Sequence, residues 1–137
     1  MTVPRFGRLQ LRIMQILWER GRATAREITD ALNASEPIAH STIQTLLRRL
    51  EAKSAVAHEV ADRTFVFRPL VQPEKVRRKA TREFVDRLFG GSPGGLVSYL
   101  IRNERIPREE LDEIRRLIGE SSPKSQGSPN PKRWPVK

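Results

Sequence analysis

The stretch TAREITDALNASEPIAHSTIQTLLRRLEAK, residues 24–53, decides the fold. It divides into two short amphipathic helices and a turn. Thr24-Ala-Arg-Glu27 has the pattern of a capping box, in which the Thr hydroxyl and the Glu carboxylate satisfy free amides at a helix start. Ile28 and Leu32 follow on one face, so a helix is expected over residues 25–33. Asn33 to Pro37 is a turn, and Pro37 ends the interruption before a further helix over residues 39–53. At about 100° per residue, Ile43, Leu46, Leu47 and Leu50 share one arc of that helix and make its buried stripe. Ser41, Gln44, Thr45, Arg48 and Arg49 point away from the stripe, with Thr42 near the edge of the exposed arc. No acid stands on that face before Glu51.

Such a face is most often a plain solvated surface. Its neighbours in sequence favour a different use. Upstream, Leu9, Ile13, Ile16 and Leu17 recur at helical spacing and Gly21 ends that helix, with Trp18 read as a packing residue rather than a nucleotide-stacking platform. Downstream, Val56-Ala-His-Glu-Val60 and Thr64-Phe-Val-Phe-Arg68 flank the short polar turn Ala-Asp-Arg63, the pattern of a two-stranded hairpin. Three helices and a hairpin make a winged helix-turn-helix over residues 1–70. In that arrangement the second helix of the pair offers its polar face to DNA, and the hairpin lies along the backbone beside it. Arg63 at the tip is then a candidate phosphate contact, as is Arg68.

The second half is organised differently. Residues 72–89 read as a long helix with Val76, Ala80, Phe84 and Leu88 in a stripe, Val85 and Phe89 on its flank, and Lys75, Arg77, Arg78, Lys79 and Arg82 opposite. Gly90-Gly91 ends it. Ser92-Pro93 opens another helix carrying Leu96, Val97, Leu100 and Ile101. A last helix over 107–118 has acids near its start and Arg115 and Arg116 near its end, the order its dipole favours. Three helices with so few apolar residues close a poor core alone. Residues 71–119 are therefore expected to be a helical dimerisation module that shares its core with a second copy, through Phe84, Leu88, Leu96, Leu100, Leu111 and Ile114. The alternative is a subdomain packed within its own chain. Residues 120–137, rich in Pro, Ser and Lys, are expected to be a disordered basic tail in which Trp134 lacks a fixed partner.

The fold class expected is thus mainly α with a small β-hairpin. Composition bounds the partners. The chain has 137 residues and a formal charge of +10, from 26 Lys and Arg against 16 Asp and Glu. The surplus sits at the two ends, which favours a polyanionic partner without saying which one. There is no cysteine, so disulfides, thiolate zinc and thiol redox sensing are excluded. No apolar run is long enough for a membrane span, which needs about 18 residues, and the start lacks a secretory segment. A soluble cytoplasmic protein without cofactor or metal is expected.

With these elements placed, the sequence resembles the penicillinase-repressor family of bacterial regulators (the BlaI/MecI/CopY type). The likeness runs from about Phe6 to Glu120. It is carried by Ile13-Met-Gln-Ile-Leu-Trp18 with Gly21, Thr24-Ala-Arg-Glu-Ile28, Ser41-Thr-Ile-Gln-Thr-Leu-Leu-Arg-Arg-Leu50, Thr64-Phe-Val-Phe-Arg-Pro69 and Leu88-Phe-Gly-Gly-Ser92. The resemblance implies a homodimeric repressor on an inverted-repeat DNA operator. It assigns Ser41, Gln44, Thr45 and Arg48 to bases and Thr42, Arg49 and Arg63 to phosphates. Gln44 suits adenine and Arg48 suits guanine. Three departures matter. The Cys-X-Cys metal site of copper-responsive members is absent. Inducible members are inactivated by a signalling protease in the helix after the Gly-Gly turn; the aligned bond here, near Tyr99-Leu100, has no distinctive surroundings. Pro107 stands where relatives commonly have Ser at the start of the last helix, which a first-turn position tolerates.

An enzyme is the first competing reading. His40 and His58 are the only histidines, and no carboxylate pair has a recognisable arrangement. The run Gly90-Gly-Ser-Pro-Gly-Gly95 lacks the Gly-Lys-Ser/Thr ending of a phosphate loop, so it reads as a helix–helix connection. The other rivals are a sequence-neutral nucleic-acid binder using the basic long helix and tail, and a winged-helix protein-interaction module.

Overall fold

The computed structural model describes residues 3–121. Its elements run α1 (Arg8–Arg20), β1 (Ala23–Thr24), α2 (Ala25–Asn33), α3 (His40–Ala52), β2 (Val56–Ala61), β3 (Thr64–Pro69), α4 (Pro73–Leu88), α5 (Pro93–Asn103) and α6 (Arg108–Glu120). The chain divides into two units, parted within α4 between Ala80 and Thr81. The basic tail, with Trp134, lies outside the described residues.

In the first unit three helices meet over one core. α1 contributes Ile13, Met14 and Leu17, α2 Ile28 and Leu32, and α3 Ile43, Leu47 and Leu50. The stripes are those of the sequence with adjustments: Met14 is fully buried, while Leu9, Ile16 and Leu46 are only half-buried. Phe67 of β3 and Val56 of β2 seal the core from the sheet side.

The sheet has three strands in the order β1-β3-β2, all antiparallel. The hairpin β2–β3 is the expected one, and Ala23 and Thr24 add a third strand by pairing with Phe67 and Val66. Two residues carry no alternation, which is why this strand leaves no trace in the sequence. Thr24 therefore does two jobs: it ends β1 and caps α2. Its Oγ1 accepts from Glu27 N at 3.1 Å, and its own N donates to Glu27 Oε1 at 2.9 Å. Between β2 and β3, Asp62 and Arg63 sit at φ 52° and 65°, the geometry of a two-residue type I′ turn. Trp18 is half-buried and donates its indole N–H to the Val71 carbonyl at 2.8 Å, holding the chain after the hairpin against α1. It is a packing residue.

In the second unit, the α4–α5 turn is built by Gly90 and Gly91 at φ 57° and 82°, with Gly91 N donating to Val85 O. Ser92 then caps α5 by accepting from Gly95 N at 2.9 Å. Phe89 lies between Phe84 and Tyr99, at ring separations of 5.9 and 5.8 Å. The expected stripe of α4 is divided: Val76, still in the first unit, is buried, while in the second Phe84 and Leu88 are 41% and 63% exposed and the flanking Val85 is buried. Leu100 is exposed as well, and Leu96, Leu111 and Ile114 are half-buried. Val97, Tyr99, Ile101, Leu117 and Ile118 add to the uncovered apolar surface.

The double role of Thr24 makes it a sensitive position. Thr24→Ala is expected to lower the stability of the first unit by about 1 kcal/mol, measured by chemical denaturation.

Candidate nucleic-acid interface

The roll of α3 follows from its three buried residues, and the opposite face is polar. Ser41, Thr42, Gln44, Arg48 and Arg49 are exposed; Thr45 is half-buried and accepts from Arg48 Nη2 at 3.3 Å. Two contacts hold the helix in place at its ends. At its start, Thr29 Oγ1 donates to the Ala25 carbonyl at 2.8 Å and lies 3.0 Å from His40 Nδ1. With its single proton committed to the carbonyl, the hydroxyl accepts from His40 Nδ1–H. At its end, His58 Nδ1 donates to the Glu51 carboxylate at 2.8–2.9 Å, and the His58 ring stacks on Phe65 at 3.9 Å. That cluster joins the last turn of α3 to both strands of the hairpin. Both histidines are thus occupied in positioning the helix.

The turn between α2 and α3 is closed by one side chain that the sequence did not single out for this. Asn33 Nδ2 donates to Thr29 O at 2.8 Å and to Ile38 O at 2.9 Å, and its Oδ1 accepts from Ile38 N at 3.1 Å. An amide carries its donor and its acceptor on separate atoms, so it can clamp both peptide groups of Ile38. Outside the turn, Glu36 takes a bidentate bond from Arg8 at 3.3 and 3.0 Å and an ion pair from Arg12 at 3.4 Å. The hydrogen bond from Arg8 holds the Glu36 carboxyl below its ordinary value, and Glu36 raises Arg8 in turn. Arg8 is exposed and Glu36 half-buried at the surface, so solvent screens the pair.

The basic side chains differ in their partners. On α4 and α6, Arg77 and Arg78 pair with Glu74, Arg82 with Asp86, Arg115 with Asp112, and Arg116 with Glu113 and Glu120. Arg26, Arg48, Arg49 and Arg63 form no ion pair among the described residues. Unneutralised guanidinium groups clustered on one surface keep a positive field there, which is what a phosphate backbone meets first.

Of the residues singled out from sequence, Gln44, Arg48 and Arg63 border one cleft between α3 and the hairpin. Ser41, Thr42, Thr45 and Arg49 lie outside it, along the rest of the helix. The cleft also brings in Arg26, His40, Thr64 and Phe65, which sequence reasoning did not assign to the site. Arg26 stands two residues after the cap of a different helix, and nothing in its local pattern signals that it borders the same cleft as Arg63. Arg63 has a signal of another kind: a non-glycine residue at φ 65° in a turn position that glycine fills most easily.

A family model described as penicillinase repressor matches residues 6–120. The penicillinase repressor of Bacillus licheniformis is 25% identical over 118 residues, 86% of this chain and 92% of that protein. Transcriptional regulator BlaI of Mycobacterium tuberculosis (strain CDC 1551 / Oshkosh) is 30% identical over 124 residues, 86% of each chain. Among solved structures, the DNA-binding domain of the repressor BlaI aligns with a TM-score of 0.48 at 28% identity, over 53% of this chain and 88% of that one.

Because Asn33 makes two bonds across the turn that aims α3 and a third back to Thr29 O, Asn33→Ala should destabilise the first unit by about 1–3 kcal/mol. The shift is readable in a denaturation midpoint. An unchanged midpoint would mean that the turn holds its shape without the clamp.

Proposed function

The chain belongs to the penicillinase repressor family, and from that footing we propose that it is a transcriptional repressor that binds an inverted-repeat operator as a homodimer. The observation that carries this reading is the polar face of α3, where Arg48 and Arg49 form no ion pair among the described residues and Arg48 shares one cleft of the first unit with the hairpin-tip Arg63. In this reading residues 1–70 bind DNA. α3 enters the major groove, Ser41, Gln44, Thr45 and Arg48 read bases, and Thr42, Arg49 and Arg63 grip phosphates. A planar guanidinium at Arg48 suits the two acceptors of guanine, and the Gln44 amide suits adenine.

The dimer part of the reading rests on the helices that follow the hairpin. Residues 71–119 form the dimerisation module, with Phe84, Leu88, Leu96, Leu100, Leu111 and Ile114 at its seam. Supporting it is the amount of large apolar surface left uncovered on α4, α5 and α6. Soluble monomers seldom expose a contiguous apolar patch of more than a few hundred Å². A second copy also supplies the two-fold symmetry that an inverted repeat requires. A signalling protease that relieves repression completes the reading as a partner class, acting in α5 near Tyr99-Leu100.

Three substitutions separate the parts. Arg48→Ala is expected to cost about 1–3 kcal/mol and to relax preference at one base position. Arg63→Gly should weaken binding to all duplexes alike and flatten the salt dependence, while stability stays within about 1 kcal/mol, since glycine suits that φ. If both variants behaved alike on specific and random DNA, the groove assignment would fail. Phe84→Asp should give monomers with greatly weakened operator affinity, read by sedimentation and gel shift; an operator-competent monomer overturns the dimer.

A further inference from the structure

The cleft between α3 and the hairpin has a composition that a DNA contact surface alone does not call for. Its volume is about 370 Å³, within the range of roughly 300–1,000 Å³ that small-molecule sites occupy. Leu47, Phe65 and Phe67 contribute apolar side chains to its wall, while Arg26, Arg48 and Arg63 supply three guanidinium groups. Phe65 is 50% exposed, an aromatic ring stacked on His58 and otherwise left for something else to cover. We propose that this cleft binds a small aromatic carboxylate.

Each half of that ligand answers one feature of the wall. The ring buries apolar surface against the exposed half of Phe65, and aromatic pairs gain beyond the area they cover. The carboxylate takes a forked, charge-assisted bond from a guanidinium, whose planar donors match its two oxygens. Inorganic phosphate satisfies the arginines and leaves the apolar wall wet. A neutral aromatic covers the wall and strips water from three cations without compensating them. Only a ligand with both parts meets both requirements.

The cleft shares Gln44, Arg48 and Arg63 with the surface assigned to DNA, so a bound carboxylate and a duplex exclude one another. That exclusion rests on the repressor reading; ligand binding itself does not. The site therefore gives the protein a release signal carried by a small molecule, acting directly at the groove-facing helix.

The test uses the full chain and 2-naphthoate as probe, followed by amide chemical shifts and by the probe's own fluorescence. The site predicts saturable one-to-one binding with a dissociation constant on the order of 0.1–1 mM, the range open to so small a ligand. 2-Naphthamide should bind about tenfold more weakly, having lost the charge-assisted bond. An Arg26→Gln/Arg48→Gln/Arg63→Gln variant should bring naphthoate down to the level of the amide, with the amide itself unchanged. Phe65→Ser should weaken both ligands; like the triple variant, it is checked for an unaltered far-ultraviolet dichroism spectrum. Saturating naphthoate should displace duplex DNA. Absence of saturable binding, equal affinity for acid and amide, or full binding by the triple variant each overturns the site, and undiminished DNA affinity in the presence of bound naphthoate overturns the shared cleft. A chain that bound naphthoate but retained no duplex would contradict the repressor reading and leave the site standing.

Discussion

The burial of Ile43, Leu47 and Leu50, each at most 1% exposed, is the constraint from which the rest of the binding surface follows. Once those three side chains are locked among α1, α2 and the sheet, α3 has no freedom to roll. Every residue on its far side then has a fixed direction. The remaining freedoms, sliding and tilting, are removed by small polar contacts at the two ends. Asn33 sets the turn, His40 with Thr29 sets the first residue, and His58 with Glu51 and Phe65 sets the last turn against the hairpin. A recognition element held this way loses little freedom on binding, so more of its contact energy appears as affinity.

Charge is distributed to match. Acids accompany many of the arginines on the helices of the second half, where i,i+3 and i,i+4 spacing lets them pair. The cations at the cleft form no ion pair among the described residues. Exposed ion pairs contribute little to stability, so their main effect is on the field the surface presents. The basic face of α4 looks in sequence like a rival nucleic-acid surface, but pairing with Glu74 and Asp86 neutralises part of it. The unpaired arginines of α2, α3 and the hairpin tip carry their field undiminished.

Much of this was legible in the residues. The period of Ile43, Leu47 and Leu50 fixed which face of α3 is polar, and the capping box fixed where α2 begins, because both are local patterns. What escaped reading depends on residues distant in the chain. β1 is too short to show alternation, and it exists only because β3 offers an edge to pair with. Asn33 was visible as a turn residue, but its grip on Ile38 requires the turn's actual path. Arg26 joins the cleft through the packing of α2 on α3, which no spacing rule encodes. On α4, amphipathicity marked Phe84 and Leu88 as apolar without showing that the described chain leaves them uncovered while burying Val85.

The central claim is that α3 reads sequence in the major groove, twice per assembly. Selection of binding sites from a random duplex library at near-physiological salt tests it most directly. The account predicts recovery of an inverted repeat whose half-sites lie about one helical turn, roughly 10 base pairs, apart or a multiple of it. Strong retention of duplexes with no shared motif would contradict it, and would mark the protein as a binder of the phosphate backbone alone.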